Sequence, residues 1–280
     1  MRIACTPLTA VLATASLLAL GVAGCGGSSG QAAPAAGPAQ PSGDAADGAL
    51  PAAEKVLEDY VAATGGRPAY EKLDTRVSTG SFTVTSMSQP ATFAMYQAAP
   101  SKMYLVIEMP GVGKEERGTD GQTAWSRSSM TGNRIVEGDE RAQMLRTAAL
   151  RAEIQWRELY KKVETVGTED VGGRKAYKVA LHTPEGGVEH RYYDVETKLL
   201  LRTTLLEKSP MGEVPVDSTT SDYRKVGDIL LSHKAVIKAM SLQQVLTLQK
   251  VEHNVAIDAK RFEVPSDVRA VPAAPSATPK

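Results

Sequence analysis

The chain has 280 residues, 42% of them hydrophobic, and its 32 basic and 32 acidic side chains cancel. With no basic stripe to track a phosphate backbone, nucleic acid is excluded as a partner class. The only cysteines are Cys5 and Cys25, so the fold must be held by an ordinary apolar core.

The first residues read as a leader. Met1-Arg2 precede an apolar run from Val11 to Val22 that is too short to span a bilayer. The run ends in Val22-Ala23-Gly24-Cys25, which resembles the bacterial lipobox. The resemblance implies cleavage of a signal peptide at 1–24, a lipid on the Cys25 sulfur, and attachment to a membrane through it. Cys5 leaves with the leader and Cys25 is acylated, so no free thiol remains for a Cys-His pair. Residues 25–50 are rich in Gly, Ala, Pro and Ser, and are expected to form a disordered tether with an r.m.s. reach of roughly 25–30 Å. The folded domain is expected at 51–265, with a Pro- and Ala-rich disordered tail at 266–280.

The spacing predicts a first helix over Pro51–Thr64. Val56, Leu57, Tyr60 and Val61 lie on one face, and Gly65-Gly66 stop it. A helical turn at Pro68–Leu73 follows. From Thr75 the period becomes two. Strands are predicted at Arg76–Thr85, Ala91–Gln97, Lys102–Met109, Lys114–Thr119 and Gln122–Arg127, with Asp120-Gly121 as a two-residue hairpin.

A single helix is then predicted over Asp139–Val163. Its apolar stripe is Ala142, Leu145, Ala149, Ala152, Trp156, Leu159 and Val163. Strands resume at Glu164–Asp170, Arg174–His182, Val188–Asp194, Leu199–Leu206, Val216–Arg224, Ile229–Lys238 and Leu242–Val251. The fold class is mainly β (α+β). About eleven antiparallel strands curl into an incomplete barrel, and the two helices cover its concave face as a lid or plug.

The order of short motifs resembles the bacterial outer-membrane lipoprotein-sorting (LolA/LolB-like) family. They are Tyr60-Val61-Ala62-Ala63-Thr64-Gly65-Gly66, Gly80, Ala99-Pro100-Ser101-Lys102 and Asp120-Gly121-Gln122-Thr123-Ala124-Trp125. Gly167, Gly173-Arg174-Lys175-Ala176-Tyr177, Tyr193-Asp194, Leu199-Leu200, Asp222-Tyr223-Arg224 and Phe262-Glu263-Val264-Pro265 continue it, so the match runs from Tyr60 to Pro265. The resemblance implies a half-barrel whose cavity holds acyl chains of lipids or lipoproteins. An anchored member resembles the membrane-bound acceptor rather than the soluble carrier.

If the concave face lines such a cavity, the residues placed to meet a ligand are Met95, Met103, Leu105 and Ile107 on strands and Leu145, Ala149 and Trp156 on the central helix. Trp125 has two readings, a core residue or a platform for ligand. Eight methionines beyond the leader against three phenylalanines suit a cavity that accepts variable chains, though such residues more commonly fill an ordinary core. No metal set is expected from His182, His190, His233 and His253, no cofactor is implied, and no Gly-X-Ser-X-Gly or other nucleophile motif points to an enzyme. The loops at Ser128–Gly132 and Lys208–Gly212 each set one methionine among polar residues, as bilayer contacts or as solvated turns. Two functions follow: a lipid-anchored envelope protein that binds acyl chains, or a tethered interaction module that transports nothing.

Overall fold

The computed structural model describes residues 49–84, 89–129, 131–209 and 212–269. Cys25, the leader, the tether and the methionines at 130 and 211 lie outside the described residues.

One antiparallel sheet of thirteen strands organises the chain. The first six are β1 (Thr75–Val84), β2 (Ala91–Ala98), β3 (Lys102–Met109), β4 (Gly113–Thr119), β5 (Ala124–Ser128) and β6 (Gly132–Val136). The remaining seven are β7 (Lys162–Asp170), β8 (Lys175–His182), β9 (Val188–Asp194), β10 (Leu200–Ser209), β11 (Gly212–Val226), β12 (Ile229–Ala239) and β13 (Leu242–His253). Their spatial order is β6-β5-β4-β3-β2-β1-β13-β12-β11-β10-β9-β8-β7. Two meanders are thus joined where β1 pairs with β13, and the sheet stays open between its edges, β6 and β7. The chain from β6 to β7 must cross from one edge to the other.

Alternation decides which face is buried. On β3, Met103, Leu105, Ile107 and Met109 are buried, and on β12 Ile229, Leu231, Ala235 and Ile237 are, with Lys234 and Lys238 exposed between them. Burying one such side chain stabilises by roughly 1.5–3 kcal/mol. Curvature is helped by bulges at Thr79/Gly80 and Thr165/Gly167. Gly80 is required at its bulge, because a Cβ there would lie 2.1 Å from the Thr247 carbonyl oxygen.

The helices cover the inner face. α1 (Ala53–Ala63) turns Val56, Leu57 and Tyr60 inward, and α2 (Arg67–Glu71) contributes Tyr70. The edge-to-edge crossing is where the sequence expectation fails. The single helix predicted over Asp139–Val163 is α3 (Gly138–Ala148), an irregular turn, and α4 (Trp156–Leu159), and Val163 already belongs to β7. Leu150 is the physical reason. It leaves the helix axis to pack with Val61, Tyr70, Leu73 and Leu231, and its N–H donates to the Pro100 carbonyl at 3.1 Å. Tertiary burial outweighs local helix propensity there.

Three further expectations need correction. The twelve strand ranges predicted are joined by β6, which was not foreseen, so the described strands number thirteen and the expected total of about eleven was low. Asp120–Thr123 forms a four-residue loop, in which Asp120 Oδ1 accepts the N–H groups of Gln122 (2.9 Å) and Thr123 (2.7 Å). The tail expected from 266 begins with α5 (Ser266–Arg269), whose Val268 is fully buried against the outer face of the sheet.

Candidate functional site

Met95, Met103, Leu105 and Ile107 all point to the concave side and join one apolar cluster with Phe82, Phe93, Met144, Ala148 and Trp156. Five of the eight residues predicted to meet a ligand are therefore brought together. The other three are not. The inward face of α3 carries Glu140, Gln143, Met144, Thr147 and Ala148, which leaves Leu145 half-buried at its side. Ala149 caps the helix and lies outside the apolar clusters.

Trp125 is on the opposite, convex face. It stands across from Gly118 in the ladder, and a Cβ at Gly118 would come within 2.6 Å of its ring. Val264 and Val268 cover it. Trp125 is therefore packed under the C-terminal residues, on the face of the sheet away from the concave cluster.

Sequence reasoning missed the polar interior. Under α3, the buried Glu115–Arg117 pair of β4 faces Glu207 of β10, and Arg134 of β6 donates to Glu140 of the helix. Glu207 is 1% exposed and its Oε1 has no protein partner. Burial pushes its carboxyl well above the usual range; Arg117 pulls it back and Glu140 adds to the rise. Beyond α4, the Tyr160 hydroxyl donates to Glu189 Oε2 at 2.9 Å and accepts from Arg191 Nη2 at 2.9 Å. Arg191 Nε also donates to Glu189 at 2.6 Å. Burial alone would lower the Arg191 ionisation, and the Glu189 carboxylate reverses that to a net rise.

The crossing is pinned mainly at its rim. Arg146 pairs with Glu185 at 2.9 Å, Arg141 donates to the Gln122 carbonyl at 2.8 Å, and Arg151 donates to the Leu73 carbonyl at 3.0 Å and to Asp74 at 2.8 Å. The Lys208 N–H donates to Gln143 Oε1 at 3.1 Å. At its centre Met144, Ala148 and Trp156 meet the sheet through apolar contact. These contacts, with the part-buried Arg134–Glu140 and the buried Tyr160–Glu189 hydrogen bonds, join the crossing to the sheet through side chains rather than through a strand ladder.

No family model and no curated protein matches the sequence. Solved structures do match the architecture. A LolA superfamily protein from Nitrosomonas europaea superposes with a TM-score of 0.54 at 10% identity, over 77% of this chain and 99% of that one. The fold is LolA-like. A DUF1329 family protein from Desulfovibrio piger superposes with a TM-score of 0.51 at 13% identity, over 75% of this chain and 97% of that one. At such identities the likeness is one of fold.

Among the described residues, side chains of the concave face of this LolA-like sheet pack with those of α1, α3 and α4 in one apolar cluster. One groove of about 790 Å³ lies instead on the outside, lined by Val188, His190, Leu206, Pro215, Lys238 and Met240. Leu206 and Met240 are each 52% exposed there. A second, of about 490 Å³, runs beside α1 between Lys55, Asp59, Tyr177 and Lys198. Among the described residues no three His, Cys, Asp or Glu side chains are grouped to hold a metal ion. His182 instead shares a hydrogen bond of 2.7 Å with Glu164.

Proposed function

We propose that this is an envelope lipoprotein, anchored through Cys25, that takes the acyl chains of a lipid or lipoprotein between its curved sheet and the crossing from β6 to β7. The observation that carries the reading is that crossing: it bridges the open edges, polar contacts hold its rim, and its Met144, Ala148 and Trp156 join the apolar cluster of Met95, Met103, Leu105 and Ile107. Flexible thioethers repack around chains of different length at little cost. The closed interior means that a chain enters by displacing α3, so the side chains now filling the space are what ligand replaces. Transfer between membranes is the use such exchange would serve, and no step of it calls for an enzyme. Mass spectrometry of the organic extract from gently purified protein tests this. Recovered acyl lipid is the expected result. No lipid recovered, together with no binding of a fluorescent fatty acid, would overturn it.

The outer groove favours a second reading, a tethered module that presents this face to an envelope protein. Half-exposed Leu206 and Met240, flanked by Lys238 and Asp217, have the mixed character of a transient interface. Loss of a co-purifying protein on Leu206→Glu, with lipid binding absent throughout, would favour it.

A further inference from the structure

Buried polar atoms without a protein partner are rare in folded chains, and each needs an explanation. Several here point into the concave side, and they gather where β1, β2 and β13 end beneath the turn between α3 and α4. Arg76 is 2% exposed. Its Nη2 has no partner, and its Nε donates to His253 Nε2 at 3.3 Å. Beside it, Gln97 stands across the ladder on β2 and Ser78 follows on the same face of β1. Ser78 Oγ, Gln97 Oε1 and the Tyr60 hydroxyl are likewise unpartnered.

A buried guanidinium is costly unless an anion compensates it. Among the groups whose fields reach Arg76, the one carboxylate is Glu153, in the irregular turn of the crossing. Burial pulls the guanidinium below its usual range, and Glu153 is first among the groups that offset this. Arg76 also ends an apolar track: from Gln97 to Ala91, β2 turns Met95 and Phe93 inward, over about 20 Å at roughly 3.3 Å per residue. That is the length of a long acyl chain.

We propose that Arg76 is the headgroup subsite of the concave face. It receives the carboxylate or phosphate of an anionic amphiphile whose chain lies along Met95 and Phe93, and Glu153 stands in for that anion while the crossing is closed. Ser78 and Tyr60 supply further donors. This rests on the acyl-binding reading and adds to it the sign of the headgroup. When the turn carrying Glu153 swings out, Arg76 exchanges the field of that carboxylate for a bonded anion, so an anionic ligand favours opening where a neutral one does not.

The test uses the full chain carrying Cys25→Ser, titrated with palmitate and with uncharged methyl palmitate. A charge-assisted hydrogen bond makes wild type prefer palmitate by about 10- to 100-fold. Arg76→Gln abolishes that preference, palmitate then binding no better than methyl palmitate. Glu153→Gln removes the competitor and widens the preference, which keeps the idea testable if Arg76→Gln fails to fold. Equal binding of the two probes by wild type would overturn the subsite and leave the acyl-binding reading intact. Binding of neither would overturn both. Arg76-dependent binding of inorganic phosphate without palmitate binding would mean a free-anion site and overturn the amphiphile assignment.

Discussion

Glu207 shows how a residue can be read correctly as part of a strand and still be misjudged. On β10 the inward positions are Thr203, Leu205 and Glu207, while Leu206 faces solvent. Hydropathy cannot choose between two adjacent leucines, and it would never send the glutamate inward. Met95, Met103, Leu105 and Ile107 were legible as one face of period-two strands, although Tyr104 and Val106 are apolar on the face opposite Leu105; Arg76, Glu115, Arg117 and Glu207 were hidden because they put charge on the inward face. The Glu207 environment has a measurable consequence. Its pKa is raised above the ordinary 4.5 by burial, so the folded chain keeps a proton that the unfolded chain releases above that value. The folded state then binds more protons, and stability falls as pH rises past 4.5. Glu207→Gln carries no titration and keeps the shape. Thermal unfolding followed from about pH 4 to about pH 8 should show the variant matching wild type at the acid end and exceeding it increasingly toward the alkaline end. A difference that stays constant with pH would mean that Glu207 is ionised in the fold.

At the scale of elements, most strands were legible because period-two alternation and turn chemistry agree along β1–β3 and β8–β13. The central crossing was not. Residues 139–163 contain no proline and no glycine, and their apolar spacing fits one helix; what breaks it is Leu150 seated between α1, α2 and β12, a long-range contact with no local signature. The inward face was shifted for a related reason. Glu140 and Gln143 turn in because Arg134 and the Lys208 N–H wait for them, which apolar periodicity does not register. The lid can be tested on the face now known to be inward. Met144→Asp places an unpaired carboxylate in the apolar cluster, at a cost of several kcal/mol if it stays there. A releasable α3 swings out and solvates the charge, so the domain should remain folded and lose fluorescent fatty acid binding. Leu145→Asp, half-buried at the helix side, should change both by little. Global unfolding of Met144→Asp would make α3 a fixed part of the core, and loss of binding in Leu145→Asp would return the active face to the one predicted from periodicity.

On the scale of the whole molecule, the sheet and its cover are one body, and the proposed anchor lies far from it in sequence, at Cys25. The described chain enters at Leu50 and Pro51 beside α1, next to β8 and β9. A tether of about 25 residues, with an r.m.s. reach of roughly 25–30 Å, would hold the domain at the membrane yet let either end of the sheet face it. That freedom matters if α3 opens only where lipid is at hand. Exchange would then depend on tethering rather than on affinity alone, because tethering raises the effective concentration of the two surfaces. Cys25→Ser removes the sulfur on which the thioether would form. The variant should remain uncleaved or become soluble, with the fold and fatty acid binding of the domain unchanged. Fractionation after a high-salt wash is the measurement, since salt strips charge-held proteins and leaves acylated ones. Gly26, rather than an aspartate, follows the cysteine, and by resemblance to Gram-negative sorting signals this would direct an anchored chain to the outer membrane where the cell has one. Persistent, wild-type partitioning of Cys25→Ser, in a form already cleaved of its leader, would show that something other than Cys25 holds the chain to the membrane.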